Sequence, residues 1–333
     1  MGVLSDQPAA LAAYGADAIA KGSKSFALAS LFFDKETQAQ VHMLYAWCRH
    51  CDDVIDGQTL GGDAPDATLS QAEMQSRLET LRAQTRLALA DKPTGAPAFD
   101  GFATVVRRCA MPERYPMDLL KGFAQDVDRQ TYPTIDDLMG YCYGVAGVVG
   151  VMMAIVMGVA PDEEETLDRA CDLGLAFQLT NVCRDVIDDA AGGRIYLPLD
   201  WLSDAGVPLS PEAVCDVRYR DAVVRVVHRT LFEADRYYAS ASQGARRLPL
   251  RAASAVLAAR NVYREIGRRV INRGARAWDS RTVISAPRKA WLAASGITAS
   301  LVQAGLCRHR SLAGRDGLWS RSPDNYSVKT ASA

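Results

Sequence analysis

Apolar residues recur at three- and four-residue spacing along most of the chain, and strict alternation is scarce. Residues three and four apart share one face of a helix, so this periodicity predicts helices rather than strands. The predicted helices span 8–21, 35–56, 70–90, 97–109, 113–127, 133–159, 161–190, 210–243, 248–273 and 284–307. Two stretches interrupt the pattern. Residues 57–69 (GQTLGGDAPDATL) and 190–200 (AAGGRIYLPLD) collect Gly, Pro and Asp and read as loops. No composition shift marks an internal boundary and no solenoid repeat is visible. Residues 1–320 therefore read as one all-α domain, and the polar stretch 321–333 reads as a disordered tail.

Residues 138–161 carry no charge and are long enough to span a bilayer. Both flanks are acidic, with Asp136 and Asp137 before and Asp162 to Glu165 after. A membrane helix usually carries Lys or Arg on its cytoplasmic side. The stretch reads instead as a central helix buried on all sides. Its five glycines are expected to leave room for a ligand or a neighbouring helix.

Composition narrows the function classes. The chain has 333 residues, with Lys+Arg 38 against Asp+Glu 39, a balance that argues against general nucleic-acid binding. The four His (42, 50, 228 and 309) are scattered, which disfavours a His-rich metal centre. Eight Cys show no framework spacing and no secretory signal pattern opens the sequence, so the expectation is a cytoplasmic protein with reduced thiols. Cys48 and Cys51 lie one helical turn apart and read as core residues. From Asp216 to Arg288 there are sixteen Arg against six acidic residues. That excess reads as solvated helix faces or as a surface toward anionic lipid or a polyanionic substrate.

Two stripes carry the chemistry. In YAWCRHCDDVID, Tyr45, Arg49, Asp52 and Asp56 fall on one helix face, as do Gln178, Asn181, Asp185 and Asp189 in QLTNVCRDVIDD. Each stripe ends in two carboxylates one turn apart, a spacing that costs a few tenths of a kcal/mol in a bare helix. A cation would reverse that penalty, and both helices otherwise read as apolar. Facing each other, the stripes would hold Mg²⁺, and Mg²⁺ would hold a diphosphate. Arg49 and Arg184 would add fixed positive charge. No Walker loop, dinucleotide turn or Ser/His/Asp set competes.

Several segments together resemble the squalene/phytoene synthase family over roughly residues 10–305. They are Gly22-Ser23-Lys24-Ser25-Phe26, Tyr45…Asp56, Tyr141-Cys142-Tyr143-Gly-Val-Ala-Gly147, Asn181…Asp189 and Gly193-Arg194-Ile-Tyr196-Leu-Pro198. RDVIDDAAGGRIYLPLDWL is most similar to the bacterial phytoene-forming branch. The resemblance implies a type I isoprenoid (terpenoid) synthase helical bundle with a central cavity. It implies that Asp52, Asp56, Asp185 and Asp189, with Asn181 beside them, hold Mg²⁺, with Mn²⁺ as a substitute. It implies that these four Asp, Arg49 and Tyr45 are catalytic. Ser23, Ser25, Phe26, Tyr45, Arg49, Tyr141, Gln178, Asn181, Arg184 and Tyr263 would touch substrate. The family often carries Gly-Glu where this chain has Ile187-Asp188, but the metal-facing Asp are kept.

The implied reaction is head-to-head condensation of two geranylgeranyl diphosphates through prephytoene diphosphate to phytoene, with no NADPH. The rival within the family is a dehydrosqualene or squalene synthase using two farnesyl diphosphates. A head-to-tail prenyltransferase lacks support at Arg184-Asp185. A non-catalytic helical scaffold would tend to lose the Asp pairs. Apolar substrates and product, with the Arg-rich half, suggest peripheral attachment to the inner face of the membrane. Chain length, oligomeric state and the group taking the final proton stay open.

Overall fold

The computed structural model describes residues 7–57, 69–306 and 311–321. Most of the 57–69 loop and the tail beyond 321 lie outside the described residues, as does the Ser25 side chain. All regular elements among the described residues are helical. In chain order they are α1 (Gln7–Gly22), α2 (Lys24–Ser30), α3 (Lys35–Asp56), α4 (Gln71–Leu89), α5 (Pro97–Cys109), α6 (Arg114–Val127) and α7 (Ile135–Cys142). A π-helical turn at Tyr143–Gly147 joins α7 to α8 (Val148–Val156). There follow α9 (Glu164–Ala191), α10 (Leu199–Asp204), α11 (Pro211–Cys215), α12 (Arg220–Gly244), α13 (Leu250–Arg273) and α14 (Ala286–Leu306).

Local chemistry sets the ends. Asp34 caps α3 by accepting from the Glu36 and Thr37 amides at 3.1 and 2.9 Å. Gly57 closes α3 in the left-handed conformation, φ 66°, which glycine adopts without strain. Reciprocal capping boxes open α4 (Ser70 with Glu73) and α7 (Thr134 with Asp137). The predicted helix 210–243 is two, because Asp216 turns extended and accepts from the Arg218 amide. Two short helices escape the periodicity, α2 and α10. α10 ends the stretch read as a loop, and the Leu199 and Asp200 amides tie it to the carbonyls of Tyr132 and Pro133, just before α7.

The uncharged stretch is the spine of the bundle. Ile135–Val156 is long and apolar enough to cross a membrane by length and composition, and 72% of its apolar window is buried inside the molecule. Of the two expected uses, its glycines chiefly serve neighbouring helices, and Gly150 also borders the central cavity. A Cβ on Gly147 would lie 2.9 Å from Cys171 Sγ, and one on Gly150 would collide with the Ala170 carbonyl. A Cβ on Gly174 would collide with the Ala146 carbonyl, and one on Gly122 would lie 2.5 Å from the Gly144 backbone. These glycines let α6, α8 and α9 meet backbone to backbone. The main core packs α3 to α9, with Trp47 stacked on Phe102 at 4.0 Å. A second apolar cluster joins the C-terminal half of α9 to α10, α11 and α12.

Candidate active site

A cavity of about 390 Å³ runs between α2, α3, α8, α9, α12 and α13. That size suits an extended small ligand. The two predicted stripes meet at it: Tyr45, Arg49 and Asp52 line it from α3, Gln178 and Asn181 from α9. Ser23 and Phe26 line it from α2, Tyr141 from α7 and Tyr263 from α13. Gly22 permits this approach, since a Cβ there would run into the Tyr45 hydroxyl. Below the polar mouth the wall is apolar, with Val145, Val149, Met153 and Leu173. Asp56, Arg184, Asp185 and Asp189 continue the stripes past the lining. Arg184 holds Asp185 through a 2.8 Å bond from Nε to Oδ1.

The carboxylates of both stripes are coupled to the same two groups, Asp126 and Arg194. Burial raises the Asp52 carboxyl to about 7, the neighbouring Asp56 adds to this, and Arg49 opposes it from 2.9 Å. Asp52 keeps 40% of its side chain accessible, toward the cavity it lines. Burial raises Asp189 to about 8, helped by Asp185 one turn back. Asp56 also rises, through burial, with Arg194 and Arg49 opposing. Tyr45 and Tyr263 are pushed up by burial and remain neutral hydroxyls.

Between the stripes stands a residue that the sequence reasoning missed. Asp126, from α6, lines the cavity, and its charge is felt by Asp52 on one stripe and Asp189 on the other. Burial raises it to about 6, against the pull of Arg194 and Tyr196. It accepts hydrogen bonds from Arg194 Nη1 and Tyr196 Oη, both 2.8 Å, and from Tyr141 Oη at 3.1 Å. Tyr132, Tyr141 and Tyr196 pack ring on ring around it, with centroids 5.0 to 6.1 Å apart. The only local signal was an Asp on the buried face of an amphipathic helix whose other charges, Arg114, Asp118 and Lys121, lie outside that face. Arg194 and Tyr196 stood in a quoted motif without an assigned role.

The donor set fits a hard divalent cation by type. It is all oxygen, burial raises Asp52 and Asp189, and Asn181 Oδ1 is buried with no hydrogen-bond partner among the described residues. Among the described residues no three Asp, Glu, His or Cys side chains converge closely enough to enclose an ion. Arginines occupy the carboxylates instead: Arg49 on Asp52 and Asp53, Arg184 on Asp185, Arg194 on Asp126. Cys48 lines the cavity and Cys51 is buried behind it; burial pushes both thiols up and keeps them unreactive.

Comparison with known proteins agrees with this geometry. Residues 19–288 match the profile of the squalene/phytoene synthase family. The chain is 49% identical over 285 residues to a 15-cis-phytoene synthase of Pantoea ananas, covering 85% of this chain and 90% of that one. It is 45% identical over 309 residues to a 15-cis-phytoene synthase of Paracoccus sp., covering 92% and 96%. A ligand-bound dehydrosqualene synthase crystal structure superposes with a TM-score of 0.77 at 26% identity, covering 88% of this chain and 97% of that one. With two acidic stripes opening on one apolar cavity and this likeness along most of its length, the chain belongs to the squalene/phytoene synthase family.

Proposed function

We propose that the chain is a prenyltransferase that condenses two geranylgeranyl diphosphates head to head into phytoene, in the biosynthesis of carotenoids. The observation that carries this is close identity, along most of both chains, to proteins named phytoene synthase. The site chemistry supports it. Asp52, Asp56, Asp185 and Asp189 would hold Mg²⁺ or Mn²⁺ with the unpartnered Asn181 Oδ1. When bound, the metal neutralises charge developing on the departing diphosphate. Arg49 and Arg184, now on carboxylates, supply the nearest fixed positive charge for the same oxygens.

The chain's own residues do the rest. The apolar wall takes the tails and excludes water, so an allylic cation meets a double bond before it meets a hydroxide. Two aromatic pairs sit where the polar mouth gives way to that wall: Phe26 on Tyr45, centroids 5.8 Å apart, and Phe177 on Tyr263, 4.1 Å apart. Their ring faces would favour a passing carbocation. Ser23, Gln178 and Tyr141 would orient the diphosphate end, and Asp126, Arg194 and Tyr196 would hold the two stripes in register. No nucleotide reductant enters this scheme.

Incubation with C15 and C20 prenyl diphosphates and Mg²⁺, followed by chromatography, tests the reading. A C40 hydrocarbon with a conjugated triene, formed from the C20 substrate, supports it. A C30 product alone, dehydrosqualene or, with NADPH, squalene, would move the chain to the other branch. The proposed location is the cytoplasm, with peripheral attachment to the inner membrane face.

A further inference from the structure

The cavity has an end as well as a mouth, and the end is not apolar. Along α9 the lining runs Asn181, Gln178, Phe177, Leu173 and Ala170, then reaches Arg169 and Thr166. Asn181 and Arg169 are separated by about 18 Å at 1.5 Å per residue. A geranylgeranyl tail, with sixteen main-chain carbons, extends roughly 20 Å at ordinary covalent geometry. The mouth-to-end distance therefore matches a C20 tail.

Arg169 is 2% exposed. Its stem lies against Gly244, where a Cβ would sit 2.5 Å from its own Cβ. Nη1 donates to Ser240 Oγ at 3.2 Å, and Nη2 donates to the carbonyl of Ala313 and pairs with Glu165 at 3.6 Å. Nε has no partner among the described residues. Ala313 belongs to the segment 311–321, which lies beyond the residues matching the family profile. That segment is strapped across the first turns of α9. Arg315 grips the fully buried Asp172 through two bonds of 2.9 and 2.7 Å. Arg321 donates to Asp168 at 2.7 Å and pairs with Glu164. The Trp319 amide donates to Tyr237 Oη at 3.0 Å.

We propose that Arg169, held crosswise by this C-terminal strap, is the floor of the prenyl tunnel and sets the longest tail the enzyme accepts. The inference rests on the function proposed above. A long cation is a hard stop for a hydrocarbon: the tail cannot displace it without stranding its charge away from water. The strap keeps the guanidinium from swinging aside.

Product analysis with C15, C20 and C25 diphosphates tests this on the full-length protein. Arg169→Ala deepens the tunnel and is expected to raise turnover of the C25 substrate relative to C20 by about tenfold or more, the discrimination a methylene or two gives in an apolar pocket. Thr166→Leu fills the same end without removing a charge. It is expected to lower C20 relative to C15 by a similar factor, and it decides the matter alone should Arg169→Ala fail to fold. Folded variants that keep the wild-type ratios overturn the floor. Wild-type protein that condenses none of the three substrates overturns the proposed function instead, so the two failures are distinct.

Discussion

At the scale of single residues, the site holds more negative charge than its surroundings stabilise. An unfolded Asp ionises near 3.9, whereas Asp126, Asp52 and Asp189 hold their protons to about 6, 7 and 8. Between those limits the folded chain binds more protons than the unfolded one, so its stability falls as pH rises. Metal-free protein is therefore expected to melt progressively lower from pH 5 to pH 8. Mg²⁺, which competes with those protons, should raise the melting temperature more at pH 8 than at pH 6. A metal-free melting temperature that climbs over this range would contradict the charge assignment. The same reasoning separates folding from turnover in Asp189→Asn and Asp52→Asn. Each removes an ionisable group that burial disfavours, so neither is expected to lower the melting temperature of the metal-free protein. Each loses leaving-group stabilisation of several kcal/mol, and turnover should drop by about two to three orders of magnitude. Steady-state rates at saturating Mg²⁺ check this, and near-normal rates would remove that Asp from the chemistry. The stripes were readable because they repeat: two sets of polar residues at helical spacing on apolar helices. Asp126 was not, since nothing in its own segment says that α6 ends between them. Its role comes from contacts with Arg194 and Tyr196, residues far along the chain.

At the scale of elements, long helices were legible and short ones were not. Lys35–Asp56 and Pro97–Cys109 match the predicted spans end for end, because a cap or a proline stands at one end and a left-handed residue at the other. α2 and α10, with 7 and 6 residues, are too short to display a period. Contacts with other parts of the chain hold them, as the Tyr132 and Pro133 carbonyls hold α10. The glycine-rich spine was legible as buried and closely approached, but not which glycines face a helix and which, as Gly150 does, face the cavity. Close approach of α8 to α9 is a property of the pair, and one helix's sequence does not show which side its glycines face. Gly147→Leu therefore tests packing and not tunnel volume. Its side chain would meet Cys171, Leu175 and Tyr143. It is expected to cost about 1–3 kcal/mol or more and to reduce C15 and C20 condensation alike. Thermal unfolding together with both activities checks this; selective loss of C20 turnover in a protein of normal stability would return the glycine to the tunnel.

For the whole molecule, the proposed membrane attachment rests on the charge of the C-terminal half. Sixteen Arg against six acidic residues between Asp216 and Arg288 would favour an anionic lipid surface, from which apolar tails could reach the site. Binding to vesicles containing anionic lipid is expected to weaken as salt rises, because exposed charges are screened beyond about 10 Å at 0.1 M. Sedimentation with vesicles measures it, and salt-independent binding would leave the apolar surface as the attachment. The backbone contacts among α6, α8 and α9 have a mechanical consequence. Where main chains already touch, a wall has no slack to yield. The opposite wall includes a seven-residue helix, α2, whereas the start of α13 is itself pressed backbone to backbone on α14, where a Cβ on Gly296 would lie 2.6 Å from the Ala258 amide nitrogen. Swelling as two hydrocarbon chains enter is therefore expected at α2. Amide exchange should therefore slow in α2 on binding an inert prenyl diphosphate analogue, while Val148–Val156 exchanges at one unchanged rate: a vice with one fixed jaw and one that travels.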